Sequence, residues 1–374
     1  MILILGLGIY FVFQQEDKSS LQIETLGEQK TLVVLSDFTQ EPQNFSNEDL
    51  DEMVFGDNSE SVNRFYRESS YGKMWLSGEV LGPIDFSQYL DLLDRREEPE
   101  FVNTIIQEAD SSVDFSEYEK GILIIFSLVP ESRISSREFG TGYYGESVLH
   151  TDEGDISVPI IKMYITHAET AFLQRNIVIH ELGHSLGLPH SGGYDCSGKA
   201  TAMNQGDCLV TITIGYDIMS YGLGYDFNSF YKEKLGWLNE ENIAEVKQSG
   251  IFTLTPLESG SEGLKTLKIP ISKSPFEKEK PLRYYYLEYR QPSNKGSNDF
   301  DGVLVYTIVT DEYSEYVDAP MLVEINSGLS KEENIHMSNY VLHEGESYND
   351  ARNKVRIETL KVTSSDVQVK IDFT

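Results

Sequence analysis

Cysteine is nearly absent from this chain, with only Cys196 and Cys208 among 374 residues. That excludes a small disulfide-framed scaffold, which needs several bridges to replace a core. Positive charge is also scarce. Lys plus Arg number 30 against 61 Asp plus Glu, a formal net charge of −31. Such an excess of carboxylates repels phosphate backbones and anionic bilayer surfaces, so nucleic acid is excluded as a partner. It suits an exported protein, or one that collects divalent cations. No internal repeat and no low-complexity tract occur. Long apolar runs are missing except at the start, where MILILGLGIYFVF carries no charge for thirteen residues. A membrane-spanning helix needs about 20 apolar residues, so this run is short for a span. It reads as a signal peptide or a membrane anchor; no basic stretch or small-residue cleavage site decides between them, and a buried first strand is the duller alternative. The expected location is extracellular, secreted or tethered to the outer face of the cell membrane.

What is present is the composition of a folded protein, 40% hydrophobic and 11% aromatic, and long enough for two domains. After a polar leader, TLVVLSDF (31–38) and the almost wholly apolar GILIIFSLV (121–129) are strand patterns, the second suited to the centre of a sheet. SNEDLDEMVF, with Ser46 and Asp49 in capping positions, and SVNRFYRESS are short helices. KMWLSGEVLG is a strand that Pro83 should stop; DFSQYLDLLDRR and EFVNTIIQEAD carry helical spacing. The run from Ile156 to His167 is a strand pattern interrupted by Pro159. Thr166 and Glu169 then form a capping box for a long helix that Gly187 ends. Residues 192–225 are glycine-rich and read as coil, followed by a helix from Asp226. Beyond residue 248 the chain becomes a succession of strand patterns separated by turns.

The helix ends in IHELGHSLGLPHS (179–191). Residues four apart share a helix face, so His180 and His184 project together. A turn at Gly187 lets His190 return to the same point. Three neutral imidazoles with an open fourth position make a catalytic rather than a closed structural zinc site. Glu181 is placed to take a proton from an activated water. From composition alone, the full pattern is expected on the order of 10⁻⁵ times per chain. Cys196 and Cys208 could bridge and close a short loop, or stay reduced; with three histidines available they are weak candidates as ligands. YDIMSYG (216–222) follows the coil and carries Met219 and Tyr221, residue types that more often pack in a core.

HELGHSLGLPH with its following IMSYG resembles the metzincin zinc endopeptidases, at His180, Glu181, His184, Gly187 and His190 and in a methionine turn at Met219. Within that class TLVVLSDF, NRFYRESSYGKMWLSGEV and YYYLEYRQ with GVLVY are similar to the secreted immune inhibitor A and gametolysin-like metallopeptidases, over most of residues 30–310. The resemblance implies one catalytic Zn²⁺ held by His180, His184 and His190, Glu181 as general base, Met219 as an apolar floor and Tyr221 as a catalytic auxiliary. It also implies a protein or peptide substrate lying extended along a sheet edge, with Ile156 to Ile165 as the neighbouring segment. Calcium occurs in other members; Asp195, Asp207 and Asp217 could supply oxygens here, although no regular calcium-loop motif supports them. No cysteine precedes Cys196, so an upstream cysteine switch is not expected.

The fold class expected is α+β: a metzincin-like zincin catalytic domain, with a mixed twisted sheet and an active-site helix, followed by an all-β sandwich. The expected divisions are a leader over 1–28, a metallopeptidase domain over 29–247 and a C-terminal β domain over 248–374. The activity expected is metal-dependent hydrolysis of peptide bonds in extracellular proteins. Two alternatives stand beside it. One is a catalytically silent binding or adhesion protein stabilised by its metal, against which the intact Glu181 speaks. The other is a cell-wall peptide amidase, whose chemistry at the metal would be the same.

Overall fold

A computed structural model of the chain describes residues 24–39, 46–96, 98–133, 141–142, 147–165, 171–195, 209–211, 216–220, 226–271, 282–291, 301–309, 319–325 and 337–373. The chain opens with strand β1 (Gly27–Asp37), helices α1 (Asn47–Phe55) and α2 (Val62–Ser69), strand β2 (Met74–Asp85) and helix α3 (Pro99–Ala109). Next come β3 (Ile122–Leu128), the two-residue β4 (Thr141–Gly142), the hairpin strands β5 (Ser147–Thr151) and β6 (Gly154–Val158), β7 (Ile160–Ile165) and helix α4 (Ala171–Ser185). Five of these strands form one sheet in the order β2-β1-β3-β7-β4, with β4 antiparallel to β7 and the other pairs parallel.

All seven residues of β3 are buried, because parallel neighbours flank it and both faces of the sheet are covered. Ile122, Ile124, Phe126 and Leu128 point to the core beneath α1, α2 and α4; Leu123 and Ile125 point to the core shared with α3 and the β5–β6 hairpin. The Ser46–Asp49 capping box starts α1 as its sequence predicts.

Several elements differ from the sequence reading. β2 runs through Pro83 to Asp85 instead of stopping there. It is an edge strand, where a missing N–H does no harm, and a register shift beside Val34 and Ser36 of β1 absorbs the Gly82–Pro83 step. Ser87–Arg95 winds as a 3-10 helix broken at Tyr89. Only Leu92 and Leu93 are buried in it, too narrow a stripe to hold a regular α-helix. The single strand expected from Ile156 to His167 is two: Pro159 separates β6, paired with β5, from β7, paired with β3. The Thr166–Glu169 capping box lies outside the described residues.

Within the stretch read as coil, β8 (Gly192–Asp195) and β9 (Leu209–Thr211) pair antiparallel. After helix α5 (Ser229–Lys234) come β10 (Ile243–Glu245), β11 (Gly250–Leu254), β12 (Thr266–Pro270), β13 (Leu282–Arg290), β14 (Gly302–Val309), β15 (Ala319–Leu322), β16 (Val341–Leu342), β17 (Ser347–Asp350), β18 (Val355–Val362) and β19 (Val367–Phe373). An eight-stranded sheet has the order β10-β12-β13-β14-β15-β8-β9, with β16 also on β14; a four-stranded sheet has the order β11-β19-β18-β17. β8 and β9 therefore join a sheet built otherwise from residues beyond 242.

The period-two alternation of RYYYLEYR divides β13 cleanly. Tyr285, Leu287 and Tyr289 enter a core shared with β18 and β19 of the smaller sheet. Tyr286 faces the other way, packing with Tyr306 and Tyr340 against Tyr216. No helix among the described residues is long and apolar enough to cross a membrane.

Candidate metal centre

No residue from Gln174 to Leu186 is fully exposed, so α4 runs through the interior and needs no narrow apolar stripe. Val178, Ile179 and Leu182 belong to the core below the five-stranded sheet, together with Met219, Phe227, Tyr231 and Trp237. Tyr66 of α2 donates from its hydroxyl to the Ile179 carbonyl at 2.7 Å, anchoring the helix one residue before His180. The helix ends at Gly187, whose φ of +79° is the left-handed conformation that favours glycine. The Leu188 amide donates to Gly183 O at 3.1 Å and the Gly187 amide to His184 O at 2.9 Å, the paired bonds of a Schellman C-cap. That reversal carries the chain back to His190. Tyr231 of α5 holds the returning strand by donating to Pro189 O at 2.6 Å.

The three histidines meet. Their candidate ligand atoms all lie within 4.8 Å of one another. Nε2 of His184 and Nε2 of His190 are 3.2 Å apart. Two nitrogens each about 2.0–2.1 Å from one tetrahedral zinc would be separated by roughly 3.3–3.4 Å, so this spacing fits a shared ion. The tautomers fit as well. His180 Nδ1 faces Ile218 O at 2.8 Å and His184 Nδ1 faces Leu188 O at 2.8 Å. A carbonyl can only accept, so both Nδ1 atoms carry the proton and both Nε2 atoms present lone pairs. Burial pushes the His180 pKa down to about 4, the Ile218 hydrogen bond opposing it. Burial also depresses His184, to about 3 with help from the neighbouring imidazoles, and lowers His190. All three rings are therefore neutral at pH 7, the protonation state a metal ligand requires. This cluster near the end of α4 could hold a divalent metal ion.

Glu181 lies half-buried on the same helix, next to His180. Met219 is fully buried, with its carbonyl accepting from the Ser191 amide at 2.9 Å. Tyr221, Cys196, Cys208 and Asp207 lie outside the described residues. Asp195 is the last residue of β8. Asp217, one of the candidate calcium oxygens, is buried, and its oxygens accept from Ser191 Oγ, from the amides of Met219 and Asn228, and from the Asn228 side chain. The segment Ile156 to Ile165, expected beside a substrate, is divided between β6 and β7. β7 is an interior strand, and β4 holds the edge of the sheet.

Sequence reasoning missed Gly183. A β-carbon at this position would overlap Met219 Sδ and touch Phe227, so the helix and the methionine approach as closely as they do only because residue 183 is glycine. The available signal was a glycine inside a helix, which costs about 0.5–1 kcal/mol relative to alanine and needs a reason. Gly183→Ala is expected to lower stability by about 1–3 kcal/mol through overpacking, read as a reduced denaturant midpoint. An unchanged midpoint would mean that Met219 moves aside freely.

No protein-family model matches this chain, and no curated protein matches it either. The metal-binding reading stands on the three imidazoles themselves.

Proposed function

We propose that the chain is a zinc-dependent endopeptidase of metzincin type that hydrolyses peptide bonds in extracellular proteins. The observation that carries this is the convergence of His180, His184 and His190, with their ligand atoms within 4.8 Å of one another at the end of a helix that also bears Glu181. A bound zinc ion would supply Lewis acidity toward the peptide carbonyl and acidify a water molecule. Glu181 accepts the proton of the attacking water on a carboxylate oxygen and delivers it to the departing amine nitrogen. Tyr221 donates its hydroxyl hydrogen to the developing oxyanion. Met219 forms the apolar floor, the role its burial beneath Gly183 favours.

Among the described residues β4 ends the sheet, and an extended peptide would add alongside it, making main-chain hydrogen bonds while side-chain pockets select sequence. The eight-stranded sheet, which includes β8 and β9, and the four-stranded sheet are assigned the sandwich arrangement, on the strength of the core they share. A Cys196–Cys208 bridge belongs to the same extracellular reading, along with secretion or anchoring through the N-terminus. The pairing of Asp195 with Leu209 supports it, because these residues adjoin the two cysteines on opposite strands.

The test is digestion of a broad peptide library by the intact protein, with and without a chelator, paired with elemental analysis. Cleavage at internal bonds, about one zinc per chain, and loss of both on chelation are expected. Cleavage that survives complete metal removal would overturn the assignment.

A further inference from the structure

Between the histidines and the eight-stranded sheet runs a continuous set of buried polar contacts. Asp217 sits at its near end. Its Oδ1 accepts from Ser191 Oγ at 3.0 Å and from the Met219 amide at 2.7 Å; its Oδ2 accepts from the Asn228 amide at 2.5 Å and from Asn228 Nδ2 at 2.7 Å. Ser191 follows His190 in the chain, and Ile218, whose carbonyl orients the His180 ring, follows Asp217. One carboxylate therefore ties together the backbone supports of two of the three imidazoles.

The far end lies on β13. Glu288 Oε2 accepts from the Ser229 amide at 2.6 Å, directly after Asn228. Glu288 Oε1 accepts from Arg290 Nε at 2.7 Å, and Arg290 Nη2 donates to Phe227 O at 2.9 Å, directly before Asn228. Arg290 Nη1 also donates to Glu258 at 2.9 Å. Asp217, Asn228, Glu288 and Arg290 are all at most 3% exposed. Buried charges and amides of this kind are costly unless their oxygens and N–H groups find partners, so these contacts favour the arrangement seen. Glu288 and Arg290 are two residues apart and thus project from one face of the strand, the face that carries Tyr286 toward Tyr216.

We infer that Asp217 is a positioning residue for the metal centre and that the Glu288–Arg290 pair holds it in place, so that the β-rich half of the chain is part of the metal site's support rather than an appended module. The inference rests on the three-histidine centre but not on peptidase activity. Partners that orient metal-ligating histidines typically change metal affinity 10- to 100-fold when removed. Asp217 acts through Ile218 and Ser191, so its effect reaches the metal through ring orientation.

The experiment uses the full chain, with zinc affinity measured by chelator competition and coordination geometry by the visible absorption of the cobalt(II)-loaded protein. Asp217→Asn keeps the shape but turns an amide donor toward groups that already donate. It is expected to weaken zinc binding about 10-fold or more and to alter the cobalt bands. Glu288→Gln should move both readings in the same direction by less. Ser191→Ala, which deletes a single hydroxyl, serves if Asp217→Asn fails to fold, and should also weaken zinc binding. A lower melting temperature with unaltered zinc affinity and cobalt spectrum in Asp217→Asn, or in Ser191→Ala where it stands in, overturns the positioning role. An effect of Asp217→Asn with none from Glu288→Gln overturns the part assigned to the β13 pair. Failure of the unsubstituted chain to take up either metal overturns the histidine centre itself, and this inference with it.

Discussion

Glu181→Gln is expected to lower peptide-bond hydrolysis by about 10²–10⁴-fold while zinc content stays at the unsubstituted level. The substitution preserves size and removes the group that accepts a proton. The metal should survive it, because the supports of the neighbouring rings come from elsewhere: His180 from the Ile218 carbonyl and His184 from the Leu188 carbonyl. Turnover and metal content thus separate, which is the signature of a base rather than a ligand. Measurement of kcat/KM on a cleavable peptide beside elemental analysis makes the comparison. Unchanged hydrolysis would remove Glu181 from the chemistry.

The second large effect is expected from His184→Ala. Zinc binding by structural four-ligand sites is worth about 10–16 kcal/mol, or roughly 2.5–4 kcal/mol per ligand if shared evenly. Loss of one ligand should therefore weaken zinc binding by about two to three orders of magnitude. Metal should be absent after dialysis, and hydrolysis with it. Stability should fall further than in the metal-free parent, because the Leu188 carbonyl at the helix end loses its imidazole partner and the ring leaves a gap near His180 and His190. Zinc retained at full occupancy would show that His184 is not a ligand.

Much of this site is legible in short stretches of sequence. His180 and His184 are four apart in a helical pattern, so their common face follows from helix geometry alone. Gly187 is legible for a related reason: a residue that must take φ near +79° is nearly always glycine. The fully apolar run of β3 and the alternation in β13 likewise state their surroundings, one buried on both faces and the other dividing two cores. Local failures had local causes. Pro83 reads as a strand terminator until its strand is known to lie at an edge, and strand position is a property of the sheet. Pro159 reads as an irregularity in one strand, whereas pairing partners show that it divides two.

Gly183 and Asp217 mark the boundary between the two kinds of information. A glycine inside a helix and an aspartate in a turn are each visible in the sequence, but what they touch is not. Gly183 matters because Met219, thirty-six residues later, packs against its α-carbon. Asp217 matters because Ser191, Asn228 and, through Ser229, Glu288 arrive around it from three other parts of the chain. The sequence by itself determined the candidate ligand types, their spacing on the helix and the turn that returns the third, since these depend on backbone geometry over a dozen residues. Only the tertiary structure decided that the imidazoles meet as neutral rings, which strand holds the sheet edge, and that buried charges on β13 reach the turn beneath the histidines. Desolvation and long-range hydrogen bonding depend on which distant segments pack together, and no short stretch of residues encodes that alone.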